Sequence, residues 1–133
     1  MPDGKILLVD DDVGVRLAVG LALTKAGYEV VEAGDGEEAI RLIEKDQNGL
    51  NVVTIICDLQ MPGLDGSRTM EYFQTHHPSI PLIILTGVAD AVLTEVLQKR
   101  GMIEYLHKPV STSKLLETVR RAAHLCALRK SQG

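Results

Sequence analysis

At 133 residues the chain suits one domain, long enough to bury a single core without disulfide or metal staples. Hydrophobic content of 45% with 24% charged residues is ordinary for a globular protein, and with only Tyr28, Tyr72, Tyr105 and Phe73 aromatic, aliphatic side chains must make the core. The net charge of −4 is uneven: residues 1–60 hold 5 basic and 12 acidic groups, the rest 9 and 6, a balance that speaks against nucleic acid as a direct ligand.

Cys57 and Cys126 lie far apart, with no CxxC and no histidine at ligand spacing, so neither a zinc site nor a disulfide framework is expected. A reducing cytoplasm suits them. The longest apolar runs, such as "IPLIIL", fall far short of the roughly 18 residues that span a bilayer, and "MPDGK" does not open a signal peptide. No membrane partner is expected.

In chain order, five short apolar segments have strand length: "KILLV" (5–9), "YEVVEA" (28–33), "NVVTIIC" (51–57), "IPLIIL" (80–85) and "IEYLH" (103–107). Helical spacing fills the gaps. Val15, Ala18, Val19, Ala22 and Leu23 form the first stripe, expected to face the core, and Ala39, Ile40 and Ile43 share a face within 36–46. Met70 and Phe73 pair in a third helix from about Ser67 to His76, and Val92, Leu93, Val96 and Leu97 mark a fourth. The fifth starts near Ser111 or Thr112 as N-cap, lines up Leu115, Val119, Ala122, Ala123 and Cys126, and is expected to fray into "RKSQG". Gly27 and Gly101 read as caps that end helices. The cations after Ser111, among them Lys114, Arg120, Arg121, Arg129 and Lys130, read as a solvated helix face.

Strand and helix thus alternate five times, the pattern of an α/β domain with a five-stranded parallel sheet covered on both faces. The expected organisation is a tail at 1–4, one domain over 5–128, and a tail or the start of a linker at 129–133. In open α/β sheets the ligand crevice lies outside the carboxyl ends of the strands. After the first strand come Asp10, Asp11 and Asp12; after the third, Asp58; after the fourth, Thr86 and Gly87; after the fifth, Lys108 and Pro109.

Carboxylates gathered within a few ångströms repel one another, and a hard divalent cation resolves the conflict. Mg²⁺ takes one or two carboxylates and keeps several waters, so a backbone carbonyl from the loop after Asp58 would help complete its shell. A carboxylate there can attack phosphorus, with Lys108 and the Thr86 hydroxyl reaching phosphoryl oxygens. Asp12, next to a helical stripe, is assigned mainly to capping, and Asp65-Gly66 to a turn. His76 and His77 are expected to end the third helix ahead of Pro78, His124 to be solvated, and Cys57 to be a small core hydrophobe.

The pieces "ILLVDDD", "CDLQMPGLDG", "ILTG" and "YLHKPV", in this order over nearly the whole chain, resemble the receiver domain of two-component response regulators, including chemotaxis-type single receivers. The resemblance implies a doubly wound, flavodoxin-like (βα)5 fold with strand order 2-1-3-4-5. It implies Asp58 as phosphoacceptor, Asp11 as direct Mg²⁺ ligand, Asp10 as a second acidic group acting largely through water, and the Gln60 backbone carbonyl as a further ligand. Thr86 and Lys108 would contact the phosphoryl group, and the Lys108–Pro109 bond would be cis.

The implied donor is a sensor histidine kinase or phosphotransfer protein. The implied switch moves Thr86 and turns Tyr105 inward, remodelling the face made by the fourth helix, fifth strand and last helix, for an output domain or downstream protein to read or for a homodimer formed on phosphorylation. Such a protein is a switch rather than an enzyme, catalysing only its own phosphorylation and dephosphorylation. Val110 replaces a common Phe, Gln60 and Val88 occupy positions tied to the rate of phosphoryl loss, and His107 stands where an apolar residue is usual. Three rivals are weaker: a haloacid dehalogenase-type phosphohydrolase would need DxDx[TV] where "VDDDVGV" stands, a flavin site would need a phosphate loop without three carboxylates, and a receiver-like interaction module that never carries phosphate would not call for all five site positions, which are retained here.

Overall fold

The computed structural model describes residues 4–45, 51–58, 66–87 and 104–132. Strands β1 (Lys5–Val9), β2 (Glu29–Ala33), β3 (Val52–Cys57), β4 (Leu82–Thr86) and β5 (Glu104–His107) form one sheet in the order β2-β1-β3-β4-β5. Every pairing is parallel. Helices α1 (Val13–Lys25), α2 (Gly36–Lys45), α3 (Gly66–His76) and a C-terminal helix (Thr112–Gln132) accompany it. The helix around residues 92–97, the Gly101 cap, Gln60, Val88 and Asp65 of the expected turn lie outside the described residues.

Because side chains alternate across a strand, the apolar runs feed two cores at once. Leu7, Val9, Ile55, Cys57, Leu82 and Ile84 point to one face and pack with Ala39 and Ile43 of α2 and Met70 and Phe73 of α3. Ile6, Leu8, Ile56, Ile83, Leu85 and Leu106 point to the other, against Val19 and Leu23 of α1 and Leu115, Val119 and Ala122 of the C-terminal helix. Full burial of each such aliphatic side chain contributes about 1.5–3 kcal/mol, so central strands with no polar face are strongly held in register.

Local chemistry sets the helix ends. Asp12 caps α1, its carboxylate accepting the Val15 N–H, and Ser111 caps the C-terminal helix by accepting from Lys114 N–H. At the far end of α1, Gly27 sits at φ 102°, and its N–H and that of Tyr28 donate to the carbonyls of Thr24 and Leu23, a Schellman ending that a side chain would strain. Asp35 caps α2 by accepting from Glu38 N–H, and the Glu38 carboxylate reaches back to accept from Gly34 N–H, a variant of the capping box.

The structure departs from the sequence expectation at three places. Ala18 is exposed rather than core-facing, because Val19 and Leu23 take the buried line of α1 while Leu17 and Leu21 remain 65% and 57% exposed. β4 begins at Leu82 and runs through Thr86: Pro81 has no N–H to give a ladder, and its carbonyl instead accepts from Ile55 N–H and the buried Thr54 hydroxyl. The C-terminal helix does not fray at Arg129. Cys126 and Lys130, one turn apart, both direct side chains to the Val52 carbonyl at the start of β3, which holds the last turns against the sheet.

Candidate functional site

The parallel register brings the carboxyl ends of β1, β3, β4 and β5 together. Val9 pairs with Cys57, so Asp10 and Asp58 leave adjacent strands side by side, and Thr86 pairs with His107, so Lys108 emerges next to the end of β4. Main-chain bonds prolong the alignment past the strands: Asp10 N–H donates to Ala33 O and Asp58 N–H to Val9 O. Gly87 borders Lys108 closely enough that a β-carbon on it would touch the lysine's Cβ at 4.0 Å.

One carboxylate oxygen from each of Asp10, Asp11 and Asp58 lies within 4.8 Å of the others. Asp10 is 1% exposed and Asp58 6%, whereas Asp11 faces solvent. Lys108 Nζ reaches between the two buried acids, donating to Asp58 Oδ2 at 2.9 Å and lying 2.7 Å from Asp10 Oδ2. The other Asp10 oxygen, Oδ1, accepts from Asp12 N–H at 2.9 Å. The Lys108–Pro109 peptide bond is cis.

The electrostatics of this cluster are unbalanced. Burial pushes the Asp10 carboxyl above the usual aspartate range, the charge of Asp58 adds to the rise, and neither Lys108 nor the Asp12 amide cancels it. Burial alone would lower the Lys108 ammonium, but its contacts with Asp10 and Asp58 outweigh that and hold it above the usual lysine range. Burial also pushes the Cys57 thiol up, with the charges of Asp58 and Asp10 adding, so Cys57 is an inert core side chain and no nucleophile.

Among the described residues, three carboxylates gather about one ammonium, an excess of negative charge that a divalent cation would offset. Asp10 Oδ2, though close to Lys108, has no hydrogen-bond partner of good geometry among the described residues and is fully buried. An all-oxygen donor set with one solvent-facing member matches a hard, partly hydrated cation such as Mg²⁺.

Of the remaining residues singled out in the sequence, Thr86 ends β4 and Tyr105 lies half-buried in β5 against the α2–α3 side of the core. His107 is exposed. His76 ends α3, and the buried His77 stacks near Tyr72 and Phe73 as a structural group. Arg16 was not foreseen: it contacts the Asp10 carbonyl from the first turn of α1. Its place four residues after Asp12 was the available signal, since that spacing stacks a side chain over the Asp run.

A parallel 2-1-3-4-5 sheet with an acidic pocket and a lysine at its carboxyl end defines a phosphoacceptor domain. The chain belongs to the response regulator receiver domain family, whose model matches residues 6–120. It is a receiver domain of two-component response regulators, a phosphoacceptor signalling switch. It is 36% identical over 117 residues to the transcriptional regulatory protein GlrR of Escherichia coli, covering 86% of this chain and 25% of that one. Sporulation initiation phosphotransferase F of Bacillus subtilis is 25% identical over 121 residues, 91% of this chain and 94% of that protein. The crystal structure of a response regulator receiver domain protein from Clostridium thermocellum superposes with a TM-score of 0.86 at 30% identity, covering 94% of this chain and 98% of the other. The chain spans about a quarter of the length of the first curated relatives it matches. Among the described residues no helix is long and apolar enough to cross a membrane.

Proposed function

We propose that Asp58 is the phosphoacceptor, that Asp10, Asp11, Asp58 and the Gln60 backbone carbonyl hold Mg²⁺, and that a histidine kinase or phosphotransfer protein is the donor. The observation that carries this reading is the triad of carboxylate oxygens within 4.8 Å, two of them paired with the Lys108 ammonium. When bound, Mg²⁺ supplies positive charge that offsets the carboxylates and the transferring phosphoryl group.

An Asp58 carboxylate oxygen attacks phosphorus, a P–O bond forms, and the donor's P–N bond breaks with its electron pair staying on the imidazole nitrogen. Asp58 is positioned for this by the Val9 carbonyl behind its amide and by the Lys108 ammonium on Oδ2. Lys108 stays charged at neutral pH and holds a phosphoryl oxygen as a point charge. Asp10 and Asp11 do not attack; they would hold the cation, whose positive charge would offset the cost that burial places on the Asp10 carboxylate.

Phosphorylation then adds about −1.5 to −2 charge to the pocket. Thr86, at the end of β4, and Tyr105, on neighbouring β5, are the proposed switch pair that passes the change to the β5 side of the domain. Moving a two-state domain from 1:99 to 99:1 requires a preference of about 5.5 kcal/mol. An output domain, a downstream protein or a phosphorylation-dependent homodimer would read that face, in the cytoplasm, and the chain's own catalysis is confined to gaining and losing its phosphoryl group.

Incubation with MgCl₂ and phosphoramidate, a small P–N donor, tests the assignment. Wild type is expected to gain 80 Da as a hydroxylamine-sensitive acyl phosphate, a mass fixed by HPO₃, and to gain nothing with EDTA present. Asp58→Asn is expected to stay unmodified. Label of equal yield in that variant would remove Asp58 from its role.

A further inference from the structure

Asp11 faces solvent, so packing does not aim its carboxylate into the pocket. Its direction depends on the peptide plane joining Asp10 to Asp11, and the oxygen of that plane is the Asp10 carbonyl. Arg16 Nη1 donates to this oxygen at 2.5 Å. The same guanidinium is held from the other side by Glu32 of β2, whose Oε1 lies 3.3 Å from Arg16 Nε. Arg16 also closes the first turn of α1, its own N–H donating to Asp12 O.

These contacts form a chain from β2 to the acidic loop. Asp10 N–H is fixed by Ala33 O, one residue beyond Glu32, and Asp10 Oδ1 by Asp12 N–H, and the carbonyl gives Arg16 a direct hold on the Asp10–Asp11 plane. A planar fork suits the task, because one guanidinium can address a carbonyl and a carboxylate together, whereas a lysine ammonium is a single point. Arg16 is largely shielded, with 19% of its side chain exposed against 44% for Glu32, so this pairing is not a fully solvated one.

We propose that Arg16 is a positioning residue for the cation site: aimed by Glu32, it holds the Asp10–Asp11 peptide plane and so directs two of the three carboxylates. The inference rests on reading the acidic pocket as a Mg²⁺ site. Arg16 touches neither phosphorus nor cation and acts through Asp10.

Titration of ¹⁵N-labelled protein with MgCl₂, followed by amide shifts, separates the alternatives. Arg16→Met keeps the aliphatic stem and is expected to raise the Mg²⁺ dissociation constant about tenfold, the usual effect of removing a group that orients a metal ligand. Arg16→Lys is expected to recover part of the loss, and Glu32→Gln to weaken binding about threefold without lowering Tm. The double variant Arg16→Met/Glu32→Gln should bind no more weakly than Arg16→Met, because Glu32 acts through the guanidinium.

A folded Arg16→Met that binds like wild type overturns the proposal. Should Arg16→Met lose its amide dispersion, Glu32→Gln decides: unchanged affinity there overturns the role, and weaker affinity at unchanged Tm supports it. Absence of saturable shifts in wild type, or wild-type affinity in Asp58→Asn, overturns the Mg²⁺ reading itself and the role of Arg16 with it.

Discussion

The two ends of the sheet are built from the same strands and solve opposite problems. At the amino end, charges are paired at the surface or spent on the backbone: Lys5 meets Glu29 at 3.3 Å, and Lys130 and Cys126 satisfy the Val52 carbonyl. At the carboxyl end, Asp10 and Asp58 are buried side by side with one ammonium between them, and an Asp10 oxygen lacks a well-aligned partner. One end stabilises the fold. The other stores electrostatic repulsion that a bound cation would relieve, the usual exchange of stability for function at a binding site.

The contrast can be broken most severely at Lys108. Lys108→Met, in Mg²⁺-free buffer, leaves Asp10 and Asp58 without their shared cation and is expected to cost about 2 kcal/mol, read as a lower midpoint in urea. Lys108 titrates above the usual lysine range in the folded chain. Its contribution is therefore complete below pH ~10.4 and fades as pH rises through the raised value, so the gap between wild type and variant should close only in strong alkali.

Asp10→Asn should move the other way, raising Tm by a few degrees in Mg²⁺-free buffer while Mg²⁺ binding is lost. Because burial raises the folded-state pKa of Asp10, the charged form disfavours folding, and that penalty is present in full above the raised pKa. The variant's advantage should shrink as pH falls through that value and vanish below ~3.9, where both states are protonated. A variant less stable than wild type at pH 7 would refute the account of stored repulsion.

Smaller effects sharpen the comparison. Asp12→Ala removes the α1 cap and is expected to cost about 1 kcal/mol by urea denaturation, with a weaker effect on Mg²⁺ affinity than Asp11→Asn. Lys5→Ala, at the opposite end, breaks a pair whose Glu29 side chain is 57% exposed and should change stability by about 0.5 kcal/mol or less.

Much of this was legible in the chain alone. Apolar runs of strand length, the stripe at Val19 and Leu23, the caps at Asp12 and Ser111 and the Schellman glycine at Gly27 are local effects, each decided within a few residues by side-chain period, hydrogen-bonding capacity or φ. Asp10, Asp11, Asp58 and Lys108 could be suspected of converging because a parallel sheet presents strand ends on one edge.

Contacts across the fold were not legible. Which line of α1 is buried, leaving Leu17 and Leu21 outside, depends on how the helix rolls against β1 and β2. That the last helix continues to Gln132 depends on a carbonyl 78 residues away from Lys130. The seating of Lys108 between Asp10 and Asp58, and the hold of Arg16 on the Asp10 carbonyl, arise only once the strands are aligned. Spacing along a chain fixes the direction of near neighbours; it carries no information on rotations and approaches that are settled by packing between distant segments.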